Sequence, residues 1–318
     1  KETEAMIVAK SDSERFYEGF QRFLAQMGHE EPTDTEMDAL LQEYVTMVNE
    51  GSPLPASMAE EAAADVFLDR AQEAGSRKER LKWIRKAREM EPEHVDAALA
   101  EIEMTAKNPC EQEQRLFELQ QKAEKQLREQ GFFTKDDIGS FWGLVETRPY
   151  MRVCHSYVMV LLVNRKMRLA VKECESMLRF CTSDNLGIRY TLIHIYARLE
   201  EEKAAQKFFK KCGEEWGTRF PLAMALLFYK IGKEVEARQY LQMLLDNNKD
   251  TKKFFSGYGT SKMESYISQM RPYAYRPNTM EELLLIFTDH AYAYEDVHSF
   301  FFWAKAALRG MKRSVAKK

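Results

Sequence analysis

Glycine and proline are scarce, at 14 and 9 of 318 residues, a composition that suits a mostly helical chain. No apolar run approaches the ~20 residues that a membrane-spanning helix needs, and the polar start KETEAMIVAKSDSER does not read as a signal peptide. Cysteine is limited to Cys110, Cys154, Cys174, Cys181 and Cys212, an odd and scattered set mostly in apolar helical registers. They read as free thiols in a reducing compartment, so a cytoplasmic location is expected. There is no G-x-x-x-x-G-K-[ST] loop, no G-x-G-x-x-G, no H-E-x-x-H and no C-x-x-C. Those gaps leave no catalytic residue, metal or cofactor to assign, and a non-enzymatic protein is expected.

Charge of one sign is missing at each end. Between Phe23 and Asp69 there is no Lys or Arg, while Glu30, Glu31, Asp34, Glu36, Asp38 and further carboxylates follow in series. From Arg309 to Lys318 there are five basic residues and no acidic one. One reading is a solvated helix face and a frayed tail. The other is an electrostatic dipole that steers a basic partner to one end or an acidic partner to the other.

What the chain does have is a repeat. Its hydrophobic and charged fractions of 45% and 31% are those of an ordinary soluble protein, long enough for two domains or one elongated array. Residues 149–249 read as three helix-turn-helix units with a period near ~34 residues, anchored on Ala170, Ala205 and Ala237, which lie 35 and 32 residues apart. Nine residues before each anchor stand Leu161, Tyr196 and Phe228, and four after it Cys174, Phe209 and Leu241, on the same faces of paired helices. Ile231-Gly232-Lys233 supplies a glycine at a helix-helix turn. The segments IYARLEEEKAAQKFFKKC and YKIGKEVEARQYLQMLLDNN resemble the tetratricopeptide repeat family. Thr182, Gly217 and Lys249 stand where that family has its closing proline. The resemblance implies an all-α helical-hairpin solenoid, a right-handed superhelix with capping helices.

The remaining segments divide around this core. Residues 1–56 read as an acidic pair of helices and a linker: Phe16, Phe20, Phe23 and Leu24 share one helical face, Thr33 and Glu36 form a capping box, and SPLPAS breaks the chain. Residues 57–130 read as divergent hairpins, the first with Leu81, Trp83, Ile84 and Ala87 in its second helix and Pro92 at the closing place, the next turning at Asn108-Pro109. Residues 131–148, GFFTKDDIGSFWGLVETR, are an aromatic insertion. Its rings either fold back over a helix edge or form a lid using Glu146 and Arg148. Residues 250–318 read as capping helices with a basic tail, Thr279 and Glu282 capping one of them. Together REMEPEHVDAALAEIEMTA, FWGLVETRPYM and DNLGIRYTLIHIYARLEEEKAAQKFF resemble the bacterial relatives of suppressor-of-tumorigenicity tetratricopeptide proteins, which implies a helical scaffold without a known catalytic residue.

Two Glu-x-x-His pairs, Glu91/His94 and Glu295/His298, have the form of di-iron ligands. Pro92 lies inside the first and about 200 residues of a linear array separate the two, so a metalloenzyme is the weakest alternative. Cys174 and Cys181 with His155 or His194 read better as buried structural groups than as nucleophile and base.

In a tetratricopeptide superhelix the first helix of each hairpin lines the concave side. Carried onto these copies, that side holds Arg152, His155 and Met159; Tyr190, His194 and Arg198; and Arg219, Leu222, Leu226, Tyr229 and Lys230. Cations and rings without a carboxylate suit a peptide or protein segment bearing acidic or aromatic side chains. The plainer alternatives are solvated groove residues, or a groove filled by the C-terminal segment. The Lys and Asn clamp of chaperone-binding members is absent. Single-stranded RNA stacked on Tyr190 and Tyr229 is the runner-up, opposed by a pI near 6.2 and the acidic N-terminal third.

Overall fold

The computed structural model describes residues 63–212, 217–269 and 275–314, a helix at 33–49, and scattered positions from 14 to 27. The SPLPAS linker, the first ten residues and the last two lysines of the basic tail lie outside the described residues. Among those described there are helices and turns and no strand. The helices are α1 Asp34–Asn49, α2 Ala63–Glu73, α3 Arg77–Met90, α4 Val95–Thr105, α5 Pro109–Glu129 and α6 Arg148–Val163. They continue with α7 Met167–Phe180, α8 Ile188–Leu199, α9 Glu202–Lys211, α10 Arg219–Lys230 and α11 Glu234–Asn247. Five shorter or closing helices follow: α12 Thr251–Gly257, α13 Ser261–Gln269, α14 Met280–Asp289, α15 Ala291–Tyr294 and α16 His298–Arg309. The chain divides into two compact units, Lys1–Val160 and Leu161–Lys318. That division falls inside α6, whereas the sequence places its boundaries between hairpins.

Local signals set the helix ends of the first unit. The Glu36 carboxylate accepts from the Thr33 N–H at 2.9 Å and from its hydroxyl at 2.7 Å, which opens α1. Ser76 accepts from the Glu79 N–H to cap α3, and Asn108 accepts from the Glu111 N–H ahead of Pro109, the residue type favoured in a first helical turn. Ile84 and Ala87 of α3 are fully buried against Ala64, Leu68 and Ala71 of α2 and Ala97 and Ala100 of α4. Phe20, Phe23 and Leu24 form a separate cluster with Leu40 and Tyr44 of α1.

The aromatic insertion folds inward. Phe141 is fully buried, and its ring meets Phe133 at 4.8 Å and Tyr150 of α6 at 6.3 Å. Phe133 adopts φ 72°, a left-handed conformation unusual for a non-glycine residue, and its ring takes the Arg128 guanidinium at 4.3 Å. Arg148 donates to the Trp142 carbonyl at 2.8 Å, so this cation braces the insertion's backbone.

The second unit is built on α8 and α10, which pack together, with α7 and α9 against α8 and α11 against α10. Asp184 opens α8: its carboxylate accepts from the N–H groups of Ile188 and Arg189 at 2.7 and 3.0 Å and from Arg189 Nε at 2.7 Å. Every residue of α10 from Phe220 to Phe228 is buried, so this helix is enclosed on all sides. A polar knot ties its start to α11 and α14. The Thr218 hydroxyl donates to Glu282 at 2.7 Å, and Asn248 Nδ2 donates to Thr218 at 3.3 Å and to the Thr279 carbonyl at 3.0 Å. The expected pairing of Thr279 with Glu282 is replaced by a shifted one: the Thr279 hydroxyl accepts from the Glu281 N–H at 3.3 Å, and Glu282 accepts from the Asn278 N–H at 2.8 Å.

Candidate functional site

In the first unit the expected groove cation Arg152 is inside the protein, with 5% of its surface exposed. Its guanidinium grips Asp96 of α4 through two bonds, Nε to Oδ1 at 2.8 Å and Nη2 to Oδ2 at 2.6 Å, and donates Nη1 to Glu14 at 2.8 Å. The two carboxylates hold it firmly charged despite burial. Arg152 is thus a structural ion-pair centre and not a ligand-facing cation, because helix α4 supplies the acceptor that the sequence reading left out. His155 and Met159 are half-buried on the same helix.

In the second unit the faces of α8 and α10 carry the expected cations and rings, and the chain's own C-terminal segment lies on them. Arg219 stands 4.9 Å from the Tyr190 ring and 5.9 Å from the Tyr275 ring, donating Nη2 to the Tyr275 hydroxyl at 3.3 Å. Arg198 Nη2 pairs with Asp296 at 3.1 Å. Tyr229 packs on Phe300 at 5.5 Å and Trp303 at 5.0 Å, both from α16. Lys230 donates to the Ala197 and Arg198 carbonyls at 3.1 and 2.7 Å and pairs with Glu200 at 3.2 Å. It closes the C-terminal end of α8, where a cation complements the free carbonyls. Leu222 and Leu226 are buried in the core of α10.

His194 is fully buried beneath that cover. Its Nδ1 donates to the Tyr190 carbonyl at 2.7 Å, which leaves Nε2 to accept from the Tyr294 hydroxyl at 3.0 Å. Burial drives its pKa down to about 3, with Arg219 adding to the effect. His290 is likewise held neutral, first by burial and then by His194 and Arg219. Among the described residues its Nε2 has no hydrogen-bond partner.

The expectation of an open concave face is corrected for these residues. Arg152, His194, Leu222 and Leu226 are interior, while Tyr190, Arg198, Arg219, Tyr229 and Lys230 are engaged by the same chain. The apolar run FPLAMALLF already held the signal, since a helix apolar on every side has to be covered on every side.

The metal alternative gains no geometry. His94 caps α4 by accepting from the Ala97 N–H at 3.2 Å, with its other ring nitrogen 3.2 Å from Asp65. Glu295 pairs with Arg165, and His298 contacts the Tyr258 hydroxyl. Among the described residues no three His, Cys, Asp or Glu side chains converge as a metal site would require. No family model matches this chain, and no curated protein or solved structure shows significant similarity to it.

Proposed function

We propose that the protein is a non-enzymatic interaction scaffold of tetratricopeptide-like hairpins, a right-handed solenoid that holds a protein segment bearing acidic and aromatic side chains. The observation that supports this reading is the occupancy of α8 and α10. Their Arg198, Arg219 and His194 side chains already contact Asp296, Tyr275 and Tyr294 of the chain itself. A face that takes this chemistry in cis is suited to take it from a partner that displaces the C-terminal segment, entering at the Arg198–Asp296 pair, where Asp296 is 70% exposed. Five free cysteines agree with a reducing, cytoplasmic setting, and no described helix is long and apolar enough to cross a membrane.

RNA fits this face less well. Tyr190 is flanked by Arg219 and Phe220, and Tyr229 by Phe300 and Trp303, so neither ring is open for a base to stack on.

The test is affinity capture with cross-link mapping, comparing the intact chain with Arg198→Glu plus Arg219→Glu at matched thermal stability. Partner segments cross-linked beside α8 and α10 in the native chain and lost in the variant support the reading. Equal recovery from both chains rejects it.

A further inference from the structure

A second basic and aromatic surface lies in the first unit, on α2 and α3, and sequence periodicity alone did not single it out. Helix α3 turns Ile84 and Ala87 inward against α2 and α4. Its opposite face carries Lys78, Lys82 and Arg85, all exposed, at the i, i+4, i+7 spacing that aligns them along one side. Beside them the rings of Phe67 and Trp83 stack at 5.8 Å with an interplanar angle of 13°. Arg70, Lys82 and Lys86 stand 5.1, 5.2 and 5.0 Å from the Trp83 ring. Among the described residues, none of Arg70, Lys78, Lys82, Arg85 and Lys86 has a carboxylate partner within ion-pairing distance.

We propose that this face docks an acidic protein segment, a helix or extended strand with carboxylates repeating about every 6 Å, the rise of four helical residues. The surface goes beyond the α8 and α10 reading and stands or falls independently of it. Three observations choose a protein over other polyanions. The Trp83 ring is taken by Phe67 and by cations, so no ring face remains for a nucleobase. Exposed Glu73, Glu79 and Glu89 interrupt the positive charge, which a continuous phosphate backbone would meet unfavourably and a segment of mixed side chains would not. Leu81 and Trp83 are half-buried between the hairpin helices, and Met90 at the end of α3 is the exposed large apolar side chain described there, too little to anchor the face in a bilayer. What the face offers is discrete cations steadied by rings, each available for a charge-assisted bond.

The experiment uses the full chain and Lys82→Glu plus Arg85→Glu, both exposed positions, with circular dichroism checking that the fold is retained. A labelled helical peptide with glutamates four residues apart is titrated by fluorescence anisotropy at about 50 mM salt, where exposed charges are weakly screened. Its lysine counterpart, oligouridylate and phosphatidylserine vesicles serve as the other probes. The expected result is binding of the glutamate peptide that weakens with added salt, falls about tenfold or more in the variant, and is replaced there by binding of the lysine peptide. Equal glutamate-peptide affinity in both chains, or no binding to the native chain, overturns the proposal. So does loss in the variant of oligouridylate binding, vesicle binding or self-association in place of peptide binding.

Discussion

The imidazoles of His194 and His290 lie almost parallel, 19° apart with ring centres at 3.9 Å, and both are sealed from solvent. One belongs to α8, the other to the turn between α14 and α15. Two neutral histidines therefore form the joint through which the C-terminal segment meets α8. Tyr294 and Tyr292 fix it from either side, through the 3.0 Å bond to His194 Nε2 and a 3.2 Å bond to the Thr191 carbonyl.

This joint makes stability depend on pH in a defined direction. Both histidines have folded pKa values below the ordinary 6.5, His194 at about 3. The unfolded chain therefore binds more protons as pH falls below that ordinary value. Stability from the pair is fully present above about pH 6.5 and is lost on acidification below it, for His194 toward about pH 3, at up to ~1.4 kcal/mol per pH unit for each imidazole. Arg219 opposes protonation alongside them, while Asp289, whose carboxyl is raised by burial, acts in the opposite sense. Urea midpoints taken from about pH 7.5 to about pH 4.5 should decline, and His290→Phe, which keeps a ring in the stack, should flatten the decline. A midpoint independent of pH, or a slope unaffected by this substitution, contradicts the joint.

Arg152 offers a second check, on the first unit. Arg152→Met removes the guanidinium and strands the buried carboxylates of Asp96 and Glu14, with an expected loss of about 3–5 kcal/mol in unfolding free energy. Arg152→Lys keeps the charge but cannot make the two-pronged bond to Asp96, and should fall between. Chemical denaturation distinguishes these outcomes. A methionine variant within about 0.5 kcal/mol of the native chain would mean that the site is solvated.

Thiol accessibility provides a third. Cys110 is exposed and Cys212 half-buried, whereas Cys154, Cys174 and Cys181 are buried. Burial raises the Cys174 pKa strongly, with Glu173, Asp184 and Glu175 nearby. A thiol reagent at neutral pH should label Cys110 first and Cys212 more slowly, with the other three reacting only after denaturant is added. Rapid labelling of Cys174 in the folded chain would show that α7 does not pack as described.

Periodicity made most of the helices legible, because an apolar face repeats every turn and its ends carry local chemistry. Thr33 with Glu36, and Asn108 ahead of Pro109, act within three residues of themselves and were readable on that account. The candidate site was less so. Arg152 and Asp96 are 56 residues apart, and Arg198 and Asp296 are 98 apart. No local pattern marks such partners. Arginine beside tyrosine on a first helix suggested the chemistry of the face. The aromatic density of Tyr292, Tyr294, Phe300 and Trp303 gave a clue that the segment covers a surface as well as ending the chain.

The cover over α8 and α10 also bears on how the chain is made. Lys230 leaves the ribosome 73 residues before Trp303, a gap of roughly 4–15 s at ordinary rates of translation. Throughout that interval the enclosed apolar helix FPLAMALLF has no lid. Newly made second units are therefore expected to bind a chaperone until α16 emerges, and chains stalled within α12 or α13 should retain one.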